Sequence, residues 1–498
     1  MAAMACALAV LASSQAAWAA SAGSIDTSFG TAGYSTVTLG TWAGAAAVAV
    51  QGDGKIVTAG QAEVNGENEI VATRMTPSGA LDPSFGSAGI VTVRINGGAG
   101  VDSGAGLALQ ADGKIVIAGS GRNGTYGPLT FVAVRLTTSG SLDQSFGHGG
   151  VSNVAIGSTS IANAVVIQPD GKIVLAGTAL EAHNEFAAAR LNPDGSLDHG
   201  FGTSGTTTFP NYTGGAWGLG LQRDGKLVLA GQTDYPSSQV SGAQQFMAVR
   251  LNGNGSTDTS FGGGGVVTVP IGGTALGYGV AVQTDGKLVL AGPAFTTTGV
   301  NAAVRLTSSG ALDPTYGSGG IATVPDWNGA NGIILDSAGR VLLPSVGASV
   351  LRLNTNGSAD TSFGTAGNVM AKLGTNDAAN GAALQADGKI VLAGGATING
   401  RIVIAVVRIN AQARAPTPTP TPSPKPAASP PKSTTKSTTT QARTGTTVVR
   451  TAVGKATRCT MRSVRSARKT HGQIRRKHRS HHRKLLTRGV AHAVARCQ

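Results

Sequence analysis

At 498 residues the chain can bury a large core, yet it holds 74 Gly, with only 4% aromatic and 13% charged residues. That profile suits short strands and many turns. The formal charge of +15 describes a tail: 19 of the 39 Lys and Arg lie after residue 414, where no Asp or Glu occurs, leaving 20 basic against 24 acidic residues before it.

Residues 1–20 read as a secretory signal peptide. Ala2 to Leu11 is an apolar run and Ala17-Trp18-Ala19 supplies small residues for cleavage, although no Lys or Arg precedes the run. The expected location is secreted or cell-surface associated. Elsewhere no segment is long and apolar enough to span a bilayer. Cys6 would leave with the signal, and the remaining pair, Cys459 and Cys497, is free to bridge in an oxidising compartment.

From residue 24 the chain repeats itself. A hairpin, Leu109-Gln110-Ala111-Asp112-Gly113-Lys114-Ile115-Val116-Ile117-Ala118-Gly119, recurs with Asp-Gly-Lys at Asp53, Asp112, Asp170, Asp224, Asp285 and Asp387. Ala338-Gly339-Arg340 stands where a sixth copy in the series belongs. Asp-Gly between two apolar runs predicts a two-residue hairpin turn with positive φ. Turn chemistry alone accounts for the Asp. A second motif, Asp82-Pro83-Ser84-Phe85-Gly86, returns from Asp143, Asp198, Asp258, Asp313 and Asp360, and also opens the series at Asp26. A period of this size, about 47–61 residues, signals a solenoid, propeller or array.

One unit reads as four strands: Gly89 to Ile95, Gly106 to Gln110, Lys114 to Gly119 and Phe131 to Leu136. Seven units predict 28 short strands, with no helical pattern competing. Such a unit exposes two apolar faces and must stack on neighbours, and closing seven into a ring removes the exposed ends. The expectation is an all-β, seven-bladed β-propeller of four-stranded blades over residues 24–412. A Pro/Thr/Ser-rich linker (413–449) and a basic tail (450–498) follow.

The Asp-Gly-Lys-Ile-Val-x-Ala-Gly hairpin, the Val-Arg-Leu strand and the Gly-x-Leu-Asp-x-Ser-Phe-Gly turn resemble the delta-60 repeat family of bacterial exported proteins over roughly 26–410. The departures are Ala338, Arg340 and Tyr316, which suggest an eroded sixth blade. By resemblance to propellers carrying this hairpin, the strand entering the Asp-Gly turn is innermost. The first strand, Tyr34–Leu39, would then be an outermost strand completing the last blade beside Ile402–Ile409. A spacing supports this reading. Six Arg, from Arg74 to Arg352, each precede a motif Asp by eight residues, while Arg408 lacks a following Asp and Asp26 lacks a preceding Arg. Closure unites those two, and an Arg–carboxylate bridge is expected at every third-to-fourth strand turn.

Two connections per unit are nearly constant and two vary, so one face is repetitive and the other individual. Ligand sites belong on variable loops held by a rigid scaffold. Trp42, Tyr212, Trp217, Tyr278 and Trp327 fall in links leading to innermost strands, and Tyr126 and Tyr235 in the other variable link. Trp217 and Tyr278 each lie seven residues before a hairpin Asp. Such aromatics suit sugars or peptides, or else pack between blades. The expected function is a non-enzymatic module binding a glycan, peptide or protein, and the chain is expected to be a monomer. The alternative is a propeller hydrolase or lyase with Asp102, Glu181, Asp234, Asp326 and Asp377 converging on one mouth, a divalent metal among them. His148, His183 and His199 are scattered, and no metal-ligand spacing, calcium loop, nucleophile elbow or phosphate cradle is present. No cofactor is expected.

Pro416 to Pro431 alternates Thr-Pro and Ser-Pro and should be extended, like a stalk. The tail carries Arg475-Arg476-Lys477-His478-Arg479 and His481-His482-Arg483-Lys484, suited to an anionic cell-surface polymer. Nucleic acid is an unlikely partner, since the tail has no aromatic residue to stack on bases. Protonation of its His below about pH 6.5 would tighten attachment.

Overall fold

The hairpin turn sets the geometry of every unit. In the computed structural model, Gly54 N donates to Gln51 O at 2.8 Å and Gln51 N to Lys55 O at 2.8 Å. These bonds close a three-residue loop, 52–54, in which Gly54 takes φ +82° while Asp53 does not enter the positive-φ region. This corrects the two-residue turn expected from Asp-Gly. A turn followed by one left-handed glycine also matches strand twist and needs glycine at only one position. The Asp instead uses its side chain, Asp53 Oδ1 accepting Lys55 N at 3.1 Å. The same bond recurs at Asp112, Asp170, Asp224, Asp285 and Asp387.

The structure describes residues 21–95, 102–122, 127–233, 244–296, 299–325 and 329–412. The signal peptide, the linker and tail, Cys459, Cys497, Trp327, Tyr126, Tyr235, Asp234 and Asp326 lie outside them. All described residues fall in the unit Met1–Thr421. They form antiparallel strands, and no helix among them is long and apolar enough to cross a membrane.

In the first unit the strands Ala43–Val50, Ile56–Val64, Glu67–Met75 and Ile90–Val93 pair in chain order. The second and third are buried on both faces, as their unbroken apolar runs require. Later units repeat the order with two departures from one strand per role. Thr206–Leu221 is a single 16-residue strand that pairs first with Asn184–Leu191 and then with Leu227–Thr233, so it ends one unit and begins the next. The entry strand of the fifth unit is divided into Thr274–Ala275 and Gly279–Val282, both paired with Leu288–Phe295.

At the termini, Tyr34–Val37 pairs antiparallel with Ile404–Val407 of the strand Arg401–Ile409. Seven apolar clusters lie among the described residues, each shared by two units. In one of them Val391, Ala393, Ile404 and Val406 of the last unit join Ile56, Val71 and Met75 of the first. The N-terminal Gly23 supplies the turn glycine that the last unit lacks. A Cβ there would lie 2.2 Å from Gly364 N, as one on Gly79 would lie 2.8 Å from Gly30 N.

Seven ion-pair stations repeat at the constant turns. Each Arg Nε lies 2.7–2.8 Å from the Asp Oδ2 eight residues on, and Arg408 lies 2.8 Å from Asp26. The hairpin Lys adds a second cation at 2.9–3.4 Å. The guanidinium stacks 4.1–4.8 Å from the motif Phe or Tyr, a cation–π contact. Its Nη1 then reaches a carbonyl of the following unit, such as Thr355 O from Arg305 and Pro77 O from Arg408, both at 2.6 Å. No Asp side chain of the seven is more than 12% exposed, so these are not solvated surface pairs.

Their acidity follows. The Ser84 hydroxyl, with Ser84 N, Lys55 and Arg74, holds Asp82 far below the usual carboxylate range despite burial. At Asp198 the Lys172 hydrogen bond is the largest influence, and the value falls to about 2. Gly200 stands there in place of Ser, so that carboxylate has no hydroxyl donor two residues on.

The sixth unit has short strands, of two, five, five and three residues, but its turn and ion pair are kept. Asp336 replaces the usual Gln two residues before the hairpin Asp position and accepts Ala338 N and Arg340 N at 2.9 Å each, restoring the turn without its Asp. Arg340 bridges Asp336 at 2.7 Å and Asp360 at 3.2 Å, which is the contact Lys makes elsewhere. Tyr316 does differ: it is buried and its hydroxyl has no partner among the described residues.

Candidate ligand-binding site

The site begins with an irregularity in the entry strands. Pairing of Ala43–Val50 with Ile56–Val64 slips between Ala45 and Ala47, leaving Ala46 as an extra residue. The same slip isolates Ala105, Asn163, Trp217 and Asn380 in their units. Each lies seven residues before the hairpin Asp position, as do Tyr278 and Asn331. A bulge turns one side chain out of the regular alternation, and bulges gather beside functional sites for that reason.

The bulge has a sequence partner. The carbonyl of Ser103, just before the slip, would lie 1.8 Å from a Cβ on Gly119 across the strand pair. Gly60, Gly177, Gly231, Gly292 and Gly394 meet the same obstruction within 2.0 Å. The Gly of the Ala-Gly pair therefore makes room for the distorted strand.

All seven bulge-position residues line one cavity of about 500 Å³. This belt reads, in chain order, Ala, Ala, Asn, Trp, Tyr, Asn, Asn. Beside it the entry strands approach closely: a Cβ on Gly218 would meet Gly279 Cα at 2.8 Å, and one on Gly381 would meet Ala47 Cα at 3.2 Å. The remaining lining is aliphatic or glycine, and no Asp, Glu, His, Lys or Arg is part of it.

Trp217 is 44% exposed, and its ring meets that of Tyr278 edge-on, centroids 5.6 Å apart at 68°. Burial raises the Tyr278 hydroxyl pKa, so it remains a neutral donor. The amides have fixed orientations, since a carbonyl acceptor admits only the NH2 end. Asn163 Nδ2 donates to Ala216 O at 2.8 Å, Asn380 Nδ2 to Ala45 O at 2.8 Å and Asn331 Nδ2 to Ala379 O at 3.1 Å. Each bond reaches the next unit in the series, and the one from Asn380 joins last to first.

Of the aromatic candidates, the structure thus brings Trp217 and Tyr278 together. Trp42 is half-buried and outside the cavity lining, and Tyr212 packs against an apolar cluster with Phe209 and Ala216. Of the acidic candidates, the three described ones, Asp102, Glu181 and Asp377, do not line the cavity. Asp102 is 2% exposed, accepts Ile95 N at 2.6 Å and has its pKa raised by burial. Asp377 accepts Leu373 N and Gly374 N at 2.9 and 3.1 Å. Both fasten the link before an entry strand, and Glu181 is exposed. His183 contacts Pro210 O and His199 contacts Ser204 O. Among the described residues no three His, Cys, Asp or Glu gather as metal ligands.

The belt asparagines went unnoticed in the sequence. Following the seventh residue before the hairpin through all seven units, and not only at its aromatic members, would have found them.

A family model described as "Domain of unknown function (DUF5122) beta-propeller" matches residues 51–85, 110–146, 168–201, 222–261, 283–316, 344–363 and 385–412. It supports a propeller repeat family without singling out the delta-60 repeats. Comparison with curated proteins gives no match. Similar solved structures include polysaccharide lyase Uly1, at 12% identity and TM-score 0.47, over 77% of this chain and 92% of that one. YCF48 bound to D1 peptide is 12% identical with TM-score 0.42, over 79% and 99%. A calcium-binding regucalcin from Agrobacterium tumefaciens is 12% identical with TM-score 0.33, over 62% and 90%. These likenesses are too distant to carry an activity across. The matched repeats and the all-β antiparallel sheets make the chain a β-propeller repeat protein.

Proposed function

We propose that the seven units form a closed seven-bladed ring, with Tyr34–Val37 completing the last blade, and that the cavity at its centre binds a ligand without chemical turnover. The observation that carries the binding reading is the exposed Trp217, set against Tyr278 on a cavity lined by one bulge residue from every unit. A pocket of this size, apolar with a few placed polar groups, suits a small ligand or a chain end. The bulge lies toward the face where the variable links open, which suits recognition over catalysis, and no acid or base of the described residues lines the cavity. Ring closure is supported by the Arg408–Asp26 pair, the Asn380–Ala45 bond and the apolar cluster shared by first and last units.

The chain is read as exported, with the basic tail holding it to an anionic surface polymer through charges that salt screens. The test is a glycan and peptide array probed with the full chain and with Trp217→Ala. Signals lost in the variant support the binding reading. Signals unchanged, or none above background, contradict it.

A further inference from the structure

We infer that the cavity takes a neutral, hydroxyl-rich saccharide, one ring stacked on the exposed Trp217 with Tyr278 beside it and its hydroxyls bonded to the belt amides. The inference rests on the binding reading above and names its ligand class.

Charge comes first. Among the described residues the lining holds no ionisable acid or base apart from the neutral Tyr278 hydroxyl. A carboxylate, sulfate or ammonium entering the cavity would lose water and meet no counter-charge, a heavy cost. The ligand is therefore neutral where it enters.

Hydrogen-bond polarity narrows the class. Asn163 and Asn380 each commit Nδ2 to a backbone carbonyl of the neighbouring unit, which points the amide oxygen elsewhere. Among the described residues Asn163 Oδ1 takes no hydrogen bond, and Asn380 Oδ1 receives only a long one, 3.4 Å from Asn331. The amides thus offer acceptors whose direction is set before the ligand arrives, so little ordering is needed on binding. A hydroxyl serves as donor to those oxygens and as acceptor from Trp217 Nε1 or Tyr278 OH. A peptide also brings N–H donors, but each comes with a carbonyl, and each amide NH2 has already committed one of its two hydrogens to the neighbouring unit.

Shape agrees. The aromatic pair belongs to the fourth and fifth units, with Asn163 and Asn331 in the units on either side, while the first and second units contribute only small aliphatic side chains, Ala46, Ala47, Val48 and Ala105. In a seven-membered ring the first unit stands opposite the boundary between fourth and fifth. The belt is therefore a slot with an aromatic wall, amide flanks and an opposite wall cleared by alanine. Aromatic faces stack on the apolar face of a sugar while their polar tips stay available.

The test uses the full chain in titration calorimetry against neutral hexasaccharides of glucose, mannose and N-acetylglucosamine, hexagalacturonate and a terminally blocked uncharged hexapeptide. Expected is binding of a neutral hexasaccharide at least about tenfold tighter than of hexagalacturonate or the peptide. Trp217→Ala should weaken it at least about tenfold with unchanged melting. Asn163→Ala should weaken it several-fold, and Asn163→Asp more, because a carboxylate cannot donate to Ala216 O. Tighter binding of the uronate or the peptide that is lost in Trp217→Ala overturns the saccharide class and leaves the binding module standing. Silence of every neutral sugar with a normally folded chain overturns the class, and an equally silent array removes the binding reading as well.

Discussion

The two ends of each unit obey opposite rules. At the constant turns the same four partners recur seven times: an Arg, an Asp (eight residues on in six of them, Asp26 for Arg408), a hairpin Lys or Arg, and a ring by the guanidinium. At the bulge the backbone geometry recurs while the side chain changes between Ala, Asn, Trp and Tyr. Identity at every station is what a joint between units demands, since each joint solves the same packing problem. Diversity at a repeated backbone position is what one asymmetric ligand demands. The difference teaches that repetition marks the scaffold and its local failure marks the site.

The comparison breaks most visibly at the scaffold. Arg352 is 1% exposed, and its removal leaves Asp360 buried against a single remaining cation, Arg340. Arg352→Ala should cost on the order of 3–5 kcal/mol, the penalty of a buried charge that loses its partner, read as a large fall in the denaturation midpoint. A variant melting like the parent would reduce the stations to ornament. Removal of residues 21–40 should also lower the midpoint and drive association, because the strand Arg401–Ile409 becomes an unpaired edge. An equally stable monomer of that truncated chain would contradict ring closure.

Acid titrates the same stations. Their carboxylates sit below the ordinary carboxylate range, Asp198 at about 2 and Asp82 lower still. Such depressed groups contribute stability that is fully present above the unfolded pKa and is lost as pH falls through the folded one. The melting midpoint should therefore hold steady above about pH 5 and fall from about pH 4 toward pH 2. A midpoint independent of pH across that window would mean the carboxylates are not held as described.

At the bulge the effects on stability shrink. Asn380→Ala removes one hydrogen bond between the last and first units and should cost about 1 kcal/mol, measured by denaturant titration. A loss as large as that of Arg352→Ala would make the belt part of the scaffold.

Much of this contrast was legible in the sequence. The eight-residue spacing from Arg to Asp, with Arg408 and Asp26 left over, pointed to the pairs and to the partnership of the termini. The seven-residue spacing of Trp217 and Tyr278 pointed to the cavity. The bulge itself was not legible, because period-two alternation tells which face a side chain takes only while the register is unbroken. Its one trace, the Gly opposite the distorted carbonyl, reads in isolation as ordinary strand composition. The turn of the sixth unit misled for a related reason. Losing Asp at 338 looks like decay until Asp336 and Arg340 are seen to compensate together. Nor does sequence show that Thr206–Leu221 runs unbroken from one unit into the next, since Pro210 and the glycines after it read as a link.

The central claim, that one end holds the fold and the other meets a ligand, is tested most directly by the melting midpoint of Trp217→Ala beside Arg352→Ala in one buffer. Trp217 is 44% exposed and should leave the midpoint near that of the parent, while Arg352→Ala falls far below both. If Trp217→Ala instead melts as low as Arg352→Ala, as loss of a core aromatic worth about 3–5 kcal/mol would require, the belt is packing and the account is wrong.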